Sequence, residues 1–272
     1  MSLYGKGEPA DAITVADELT KRGELERTGG PAYLHSLISS VPTAANAGFY
    51  AEIVQERAVL RRLAVFVGHF TLDAALEVVI GAKLDQSTVF GAIDSLVAKS
   101  MLATRPIGAM MRYRLLDTTR AYALEISIDA TEANELAVRH AAYYRRWLEQ
   151  TGTEWTTLST GTERSPHFAA LNNVRAALEW CFGENGNVPA GIGLAAAAAP
   201  VFLTMSLLIE CHRWSERAIR ALDDATRSGP EEMHLEAALG VSLMLTRGNS
   251  EAARSAQASR VTCREPPSAP SP

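Results

Sequence analysis

The residue types that most often perform chemistry are present in this 272-residue chain, but their spacing forms no recognisable catalytic or metal site. No two histidines lie three or four residues apart, as zinc ligands on one helical face would. The three cysteines form no Cys-x-x-Cys pair, so we expect structural thiols. The scattered residues are His35, His69, His140, His167, His212, His234, Cys181, Cys211 and Cys263.

Sequence signatures of catalysis are also missing from the chain. It contains no G-x-x-x-x-G-K-[ST] loop to cradle phosphates, no H-E-x-x-H pair and no G-x-S-x-G elbow. Acidic pairs such as Asp223-Asp224 and Glu231-Glu232 fall in polar segments, where solvent keeps carboxylates ionised. We therefore expect no catalytic residues, no cofactor-binding residues, no metal site and no enzyme activity.

Composition and charge limit the remaining classes of protein. Hydrophobic residues make up 47% of the chain, enough for the cores of two or three domains. The net charge of -5 argues against a protein that chiefly coats nucleic acid, because phosphate neutralisation requires clustered Lys and Arg. The first residues lack a basic segment followed by an apolar one, so we expect a cytoplasmic protein.

One stretch without charged residues, 185–209, tests whether the chain enters a membrane. Its start is rich in glycine, five consecutive alanines carry little transfer free energy, and Pro200 interrupts its second half. We expect two short helices, broken at Pro200 and buried in a core, and no membrane contact.

The first 63 residues show a pattern of short helices and one long one. Gly23 ends the first predicted helix at residues 15–22, and Gly30-Pro31 starts a second that stops before Pro42. A long amphipathic helix follows from Phe49, and we expect it to continue to about Val67. Its narrow stripe predicts a partner-binding face made of Tyr50, Ile53, Val54, Arg57, Leu60 and Arg61.

Five motifs in this part resemble the DnaB-type replicative helicase N-terminal domain. They are DAITV at 11–15, GELE at 23–26, GGPAYL at 29–34, PTAAN at 42–46 and YAEIV at 50–54. The resemblance covers residues 5–63 and implies an all-helical module ending in a helical hairpin, used for subunit pairing and primase contact. The sequence departs from the family at both ends, because the first helices are missing before Tyr4 and no motor domain follows Leu63.

The residues that follow resemble a different family, the winged-helix and helical region of bacterial signal-transduction NTPase-type (LuxR/AfsR-like) transcriptional regulators. The matching motifs are RRLAVFVG at 61–68, FTLDAA at 70–75, IDSLVAKSML at 93–102, RYRLLDTTRAYA at 112–123 and RHAAYY at 139–144. The residues alone predict a helix capped by Thr71, a second helix at 87–99, and two strands within 102–116. We expect Tyr113, Leu115 and Leu116 on a wing strand in the core.

A winged helix raises the possibility of DNA binding. In that interpretation the helix at 87–99 enters the major groove, and wing residues hold phosphates. The helix opposes it, because residues 87–98 contain Asp94 and no Lys or Arg. We therefore favour an interaction or regulatory domain and leave DNA binding open. The DNA-contacting candidates are Lys99, Arg105, Arg112 and Arg114.

The remaining sequence predicts paired helices that resemble the tetratricopeptide-like repeats following the winged helix in those regulators. The motifs are LNNVRAALEW at 171–180 and RWSERAI at 213–219. Only about two helix pairs fit, although such arrays usually need three or more. The tail at 256–272 is rich in proline and serine and predicts disorder.

The sequence thus predicts a mainly α chain with four parts: a helical module at 1–63, a winged helix with a small β-hairpin at 64–128, tetratricopeptide-like hairpins at 129–255 and a tail. We expect a non-catalytic protein–protein interaction protein whose partners are helicase subunits or primase, with self-association. The alternative is a DNA-binding transcriptional regulator. A third interpretation is a fragment of an ATP-dependent helicase, which the missing phosphate loop opposes.

Overall fold

The computed structural model describes residues 12–40, 47–81, 84–107, 110–126, 129–151, 161–224 and 227–248. Eleven α-helices and one two-stranded antiparallel sheet make up most of these residues, which confirms the mainly α fold. The chain divides into two compact units, Met1–Val54 and Gln55–Pro272. The predicted tail at 256–272 lies outside the described residues.

The first unit contains the two short helices that the sequence predicts. Helix α1 spans Ala12–Lys21, a 3₁₀ turn covers Glu26–Thr28, and α2 spans Gly30–Ser40 and contacts α1. The turn requires glycine, because Gly29 has a φ of 101° and Gly30 a φ of 74°. A side chain at either position would be strained in this left-handed conformation.

Helix α3 spans Ala47–Leu63 without a break and crosses the boundary between the two units. It ends at Leu63 rather than at about Val67, because the next residues form a tight turn. In this turn the amide of Val65 donates to the Arg62 carbonyl at 3.2 Å, and the amide of Phe66 donates to the Leu63 carbonyl at 3.1 Å. The turn brings Phe66 into the core.

The winged helix consists of α4 (Leu72–Val79), α5 (Gln86–Ala98), β1 (Leu102–Ile107), β2 (Met110–Leu115) and α6 (Asp117–Glu125). The Thr71 hydroxyl caps α4 by accepting from the Ala74 amide at 3.1 Å, as the sequence predicts. The Asp85 carboxylate caps α5 in the same way, accepting from the Thr88 amide at 2.8 Å. The predicted order of helix, helix and hairpin is therefore confirmed.

Strand β2 is paired along both of its edges. It runs antiparallel to β1 with Leu102 opposite Leu115 and Arg105 opposite Arg112, and on its other edge Tyr113 exchanges two 2.9 Å backbone hydrogen bonds with Phe70. Leu115 is buried, but Leu116 is 42% exposed, so its predicted place in the core is wrong. The strand ends at Leu115, and Leu116 is the residue that precedes α6.

Five helices follow the winged helix: α7 (Ala130–Thr151), α8 (Gly161–Cys181), α9 (Val188–Thr204), α10 (Leu208–Arg220) and α11 (Pro230–Arg247). Helix α9 contacts the other four, and the alanines along it are mostly buried. The burial predicted for this segment is confirmed, but the predicted break at Pro200 is wrong. Packing of α9 on its neighbours offsets the one backbone hydrogen bond that proline removes. Within the described residues, no helix combines the length and apolarity needed to cross a bilayer.

A buried polar cluster fastens the winged helix to the helices that follow. The Asn173 side chain on α8 is 0% exposed, accepts from the Val67 amide at 2.7 Å and donates to the His69 carbonyl at 2.9 Å. His140 on α7 packs edge-on against Phe66, with ring centroids 5.3 Å apart. Burial lowers the pKa of His140 to about 4, so this imidazole is neutral near pH 7.

Candidate interaction site

The structure divides the predicted partner-binding stripe of α3 into an exposed part and a buried part. Tyr50, Ile53 and Val54 are exposed in the first turns of the helix. Leu60 is 2% exposed and belongs to the core of the second unit, so it is not available to a partner. The sequence pattern shows that these residues share a face, but not where along the helix that face is covered.

The two arginines of the stripe have contacts inside the second unit. The Arg57 guanidinium donates to the Tyr122 hydroxyl at 3.1 Å and remains exposed. Arg61 lies 3.6 Å from a Glu132 carboxylate oxygen on α7 and is only partly exposed. The exposed apolar part of the predicted face therefore consists of Tyr50, Ile53 and Val54, and the exposed Arg57 lies one turn after Ile53.

Helix α5 occupies the position of the reading helix in a DNA-binding winged helix. It contains no Lys or Arg between Gln86 and Ala98. Its outer surface instead exposes Phe90, which is 54% accessible, together with Gly91 and Asp94. Such a face offers neither a cation for the phosphate backbone nor the Arg or Lys that most often reads guanine.

Lys99, the first candidate for a phosphate contact, already has a carboxylate partner. Its ammonium lies 2.8 Å and 2.6 Å from the two oxygens of Glu56, and the Ser95 hydroxyl donates to Glu56 at 2.7 Å. Burial alone would raise the pKa of Glu56, but the hydrogen bonds from Lys99 and Ser95 lower it. Glu56 is therefore ionised and neutralises Lys99 near pH 7.

The three wing arginines differ in how much they can offer to an anion. Arg105 is exposed, Arg114 is ion-paired with Asp117 at 2.8 Å, and Arg112 is only 5% exposed. Burial lowers the pKa of Arg112, but a guanidinium remains charged under any physiological condition. The predicted wing residues thus form one basic group, from which Lys99 is separate.

His69 also belongs to the basic group on the wing, and the sequence did not identify it. Burial lowers the pKa of His69, and repulsion by Arg114, Arg105 and Arg112 lowers it further. Its place follows from the pairing of Phe70 with Tyr113, which sets His69 beside β2. Phe70 is a single residue directly before the Thr71 cap, so the sequence has no strand pattern there that would predict its pairing with Tyr113.

The wing also exposes apolar side chains that the sequence analysis did not select. Met110 and Met111 at the start of β2 are each exposed, as are Leu116, Tyr122 and Leu124 at and after its end. The consecutive methionines were the available signal, because a strand with one buried face normally alternates. Together with Phe90, these side chains give the winged helix exposed apolar surface in addition to its basic group.

The described cysteines are candidate nucleophiles, and the described His, Cys, Asp and Glu side chains are candidate metal ligands. Cys181 and Cys211 are buried, and burial raises the pKa of Cys181 to about 12 and of Cys211 to about 11, so neither is a ready nucleophile. In the described part of the chain, no three His, Cys, Asp or Glu side chains are grouped as metal ligands.

A cavity of about 330 Å³ lies between α7, α9 and α11. The Arg145 guanidinium on its wall is ion-paired with Glu149 at 2.8 Å and with Glu231 at 3.6 Å. The Arg145 side chain in this cavity is therefore already paired with carboxylates.

Comparisons with known proteins agree with the two resemblances. Residues 1–56 match the DnaB-like helicase N terminal domain, and residues 54–126 match a winged helix-turn-helix domain. Over 63 residues the chain is 70% identical to replicative DNA helicase DnaB of Mycobacterium leprae and also to that of Leifsonia xyli subsp. xyli. Each alignment covers 23% of this chain, and they cover 10% and 14% of the two helicases, respectively.

A second group of relatives aligns with a longer part of the chain. The chain is 34% identical over 163 residues to a "Putative HTH-type transcriptional regulator" of Mycobacterium tuberculosis. This alignment covers 58% of this chain and 18% of that protein. No solved structure gives a significant match. The chain therefore joins a DnaB-like N-terminal part to a winged-helix, regulator-like part, and it spans less than a fifth of each of these relatives.

Proposed function

We propose that this chain is a non-catalytic protein-interaction protein that binds a helical partner through the exposed first turns of α3. The observation that carries the proposal is the exposure of Tyr50, Ile53 and Val54 at i, i+3 and i+4 spacing. Residues with this spacing lie on one side of a helix and form the pattern by which amphipathic helices bind grooves. The partner class is helicase subunits, primase or a second copy of this chain, since the matched relatives are named replicative helicases.

The second unit supplies the regulatory half of the proposed function. Its winged helix exposes Phe90 and the wing methionines, which suit a protein surface better than a phosphate backbone. We propose that α7–α11 form tetratricopeptide-like hairpins. The contacts support this, because neighbouring helices pack in pairs and α9 also contacts α7 and α11, as in stacked hairpins.

The apolar face on α3 is tested by a charged double variant. We expect Ile53→Glu combined with Val54→Glu to abolish self-association and binding to a purified DnaB-type helicase or primase. Two buried carboxylates without partners would oppose any apolar interface. Light scattering across a tenfold dilution measures self-association, and titration calorimetry measures the other two interactions.

A matched control carries the same two added charges on the next face of the same helix. Ala51→Glu combined with Gln55→Glu places them about 100° away around α3, and both positions are exposed. This control should retain the wild-type mass and affinity. The proposal fails if the wild-type chain is monomeric at every concentration and binds neither helicase nor primase.

A DNA-binding regulator is the second candidate function. The basic group of His69, Arg105, Arg112 and Arg114 favours it, as do the names of the longer relatives. Because Arg112 is buried and Arg114 is paired, few phosphate contacts are available.

We expect only weak binding of duplex DNA, with a log–log salt slope of about -2 or smaller in magnitude. Fluorescence anisotropy with a labelled duplex measures this slope at salt concentrations from roughly 50 to 200 mM. Proteins that make many phosphate contacts lose much of their affinity over this range. Nanomolar binding with a steep slope that Arg105→Gln reduces would instead support the regulator function.

A further inference from the structure

Three arginines and one glutamate lie where the end of α3, the end of α4 and the start of α7 come together. Arg61 and Arg62 are the last arginines of α3, and Glu132 and Arg139 lie two turns apart on α7. Glu132 is the carboxylate that pairs with this group in the described residues. Glu132 is shared between Arg61 and Arg62.

Arg62 is held rigidly within this group. Its side chain is 8% exposed, its Nη2 and Nε lie 2.5 Å and 2.6 Å from one Glu132 oxygen, and its Nη1 donates to the Val79 carbonyl at 2.9 Å. The other Glu132 oxygen lies 3.6 Å from Arg61. Both carboxylate oxygens are thus directed at α3, and Arg139 receives no ion pair from Glu132 in the described structure.

Arg139 approaches the same place from α7. A side-chain carbon added to Gly81 would lie 3.1 Å from Nη1 of Arg139 and 3.3 Å from Nη1 of Arg62. Both guanidinium groups therefore converge beside Gly81, and a side chain at residue 81 would crowd them. The Nε of Arg139 is buried and has no hydrogen-bond partner in the described part of the chain.

This arrangement needs a negative charge. A buried guanidinium nitrogen without a partner is costly, and two cations near one point repel each other in a poorly solvated setting. An oxyanion over Gly81 would accept from Arg62 and Arg139 together, in the geometry that arginine provides for phosphate and carboxylate. Replacing Gly81 by a larger residue would displace both guanidinium groups from this position.

We propose that Gly81, Arg62 and Arg139 form a binding site for a small oxyanion, a phosphate or a carboxylate group. The ligand would lie between the end of α4 and α7, so its binding would strengthen the contact between the winged helix and the following helices. This site is independent of the exposed face on α3 and of the basic group on the wing.

Thermal unfolding of the full chain tests the site with three probes: inorganic phosphate, pyrophosphate and malonate, each at an ionic strength held constant with sodium chloride. Specific binding raises Tm in a saturable way. We expect such a rise with at least one probe, and calorimetry should show roughly tenfold or greater weakening in Arg139→Gln, as loss of a charge-assisted bidentate contact implies. A rise with pyrophosphate alone assigns a phosphate ligand, and a rise with malonate alone assigns a carboxylate ligand.

Two further variants make the result decisive. Gly81→Ala keeps every charge but displaces the two guanidinium groups that its methyl group would crowd, so it should weaken binding even if Arg139→Gln folds poorly. Arg220→Gln removes one exposed arginine on α10 that is paired only locally with Glu216, and it should bind like wild type. Equal Tm rises in wild type, Arg139→Gln and Gly81→Ala, or no saturable rise with any probe, would overturn the proposal.

Discussion

Replacing Asn173 with leucine is expected to lower the free energy of unfolding by about 3–5 kcal/mol. The Asn173 amide satisfies the Val67 amide and the His69 carbonyl, and it lies inside the core beside His140. Leucine has a similar size but leaves both backbone groups buried without partners. Urea unfolding followed by circular dichroism at neutral pH measures the change.

The neighbouring residue provides a matched control for this substitution. Asn172 is exposed and accepts a hydrogen bond from Arg175 at 2.8 Å on the surface of α8. Asn172→Leu should therefore change the free energy of unfolding by no more than about 0.5 kcal/mol. If both variants lost the same stability, the cluster around Asn173 would not fasten the winged helix to the following helices.

Local signals explain why the sequence predicted most of the fold. Thr71 predicts the start of α4, Gly30-Pro31 predicts the start of α2, and the run of residues without helix breakers predicts an unbroken α3. Each of these features depends on residues within one or two turns of it. The end of α3 at Leu63 was missed because the turn after it is stabilised by burial of Phe66 in a core built from distant segments.

The candidate surfaces were harder to predict, because exposure depends on distant partners. The stripe on α3 has the same apolar spacing along its whole length in the sequence. In the structure, however, Leu60 is buried in the second unit's core and Val54 is exposed. On the wing, the sequence analysis named Arg112 and Arg114 together as candidates for DNA contact, and they lie two residues apart on β2. Arg112 is nevertheless buried and Arg114 is not, and the phenol groups of Tyr143 and Tyr144 on α7 lie close enough to Arg112 to affect its pKa.

The arginine group around Gly81 shows the same limit most clearly. Arg62, Gly81 and Arg139 come from three elements that are far apart in the sequence. No spacing rule relates them, since their approach depends on how α4 packs on α7. Even the resemblance to a regulator family, which covers all three positions, says nothing about the approach of the two guanidinium groups.

Glu132→Gln should also destabilise the chain strongly. We expect it to lower the free energy of unfolding by about 3 kcal/mol in sodium chloride. Glutamine fills the same volume but removes the only carboxylate that pairs with Arg62 in the described structure. The Arg62 side chain is only 8% exposed. Breaking a buried ion pair on one side leaves the remaining charge without compensation. The loss is placed at the low end of the usual range because Glu132 is itself 25% exposed and solvent screens part of the interaction.

Glu135→Gln, one turn along α7 at an exposed position, removes the same charge and should change the free energy of unfolding by less than about 0.5 kcal/mol. Urea unfolding of both variants in sodium chloride gives the comparison, and equal losses would show that the Arg62 charge does not depend on Glu132. Repeating the measurement in phosphate links the result to the anion site. If phosphate binds between Arg62 and Arg139, it supplies part of the missing negative charge, and Glu132→Gln should recover more stability than Glu135→Gln.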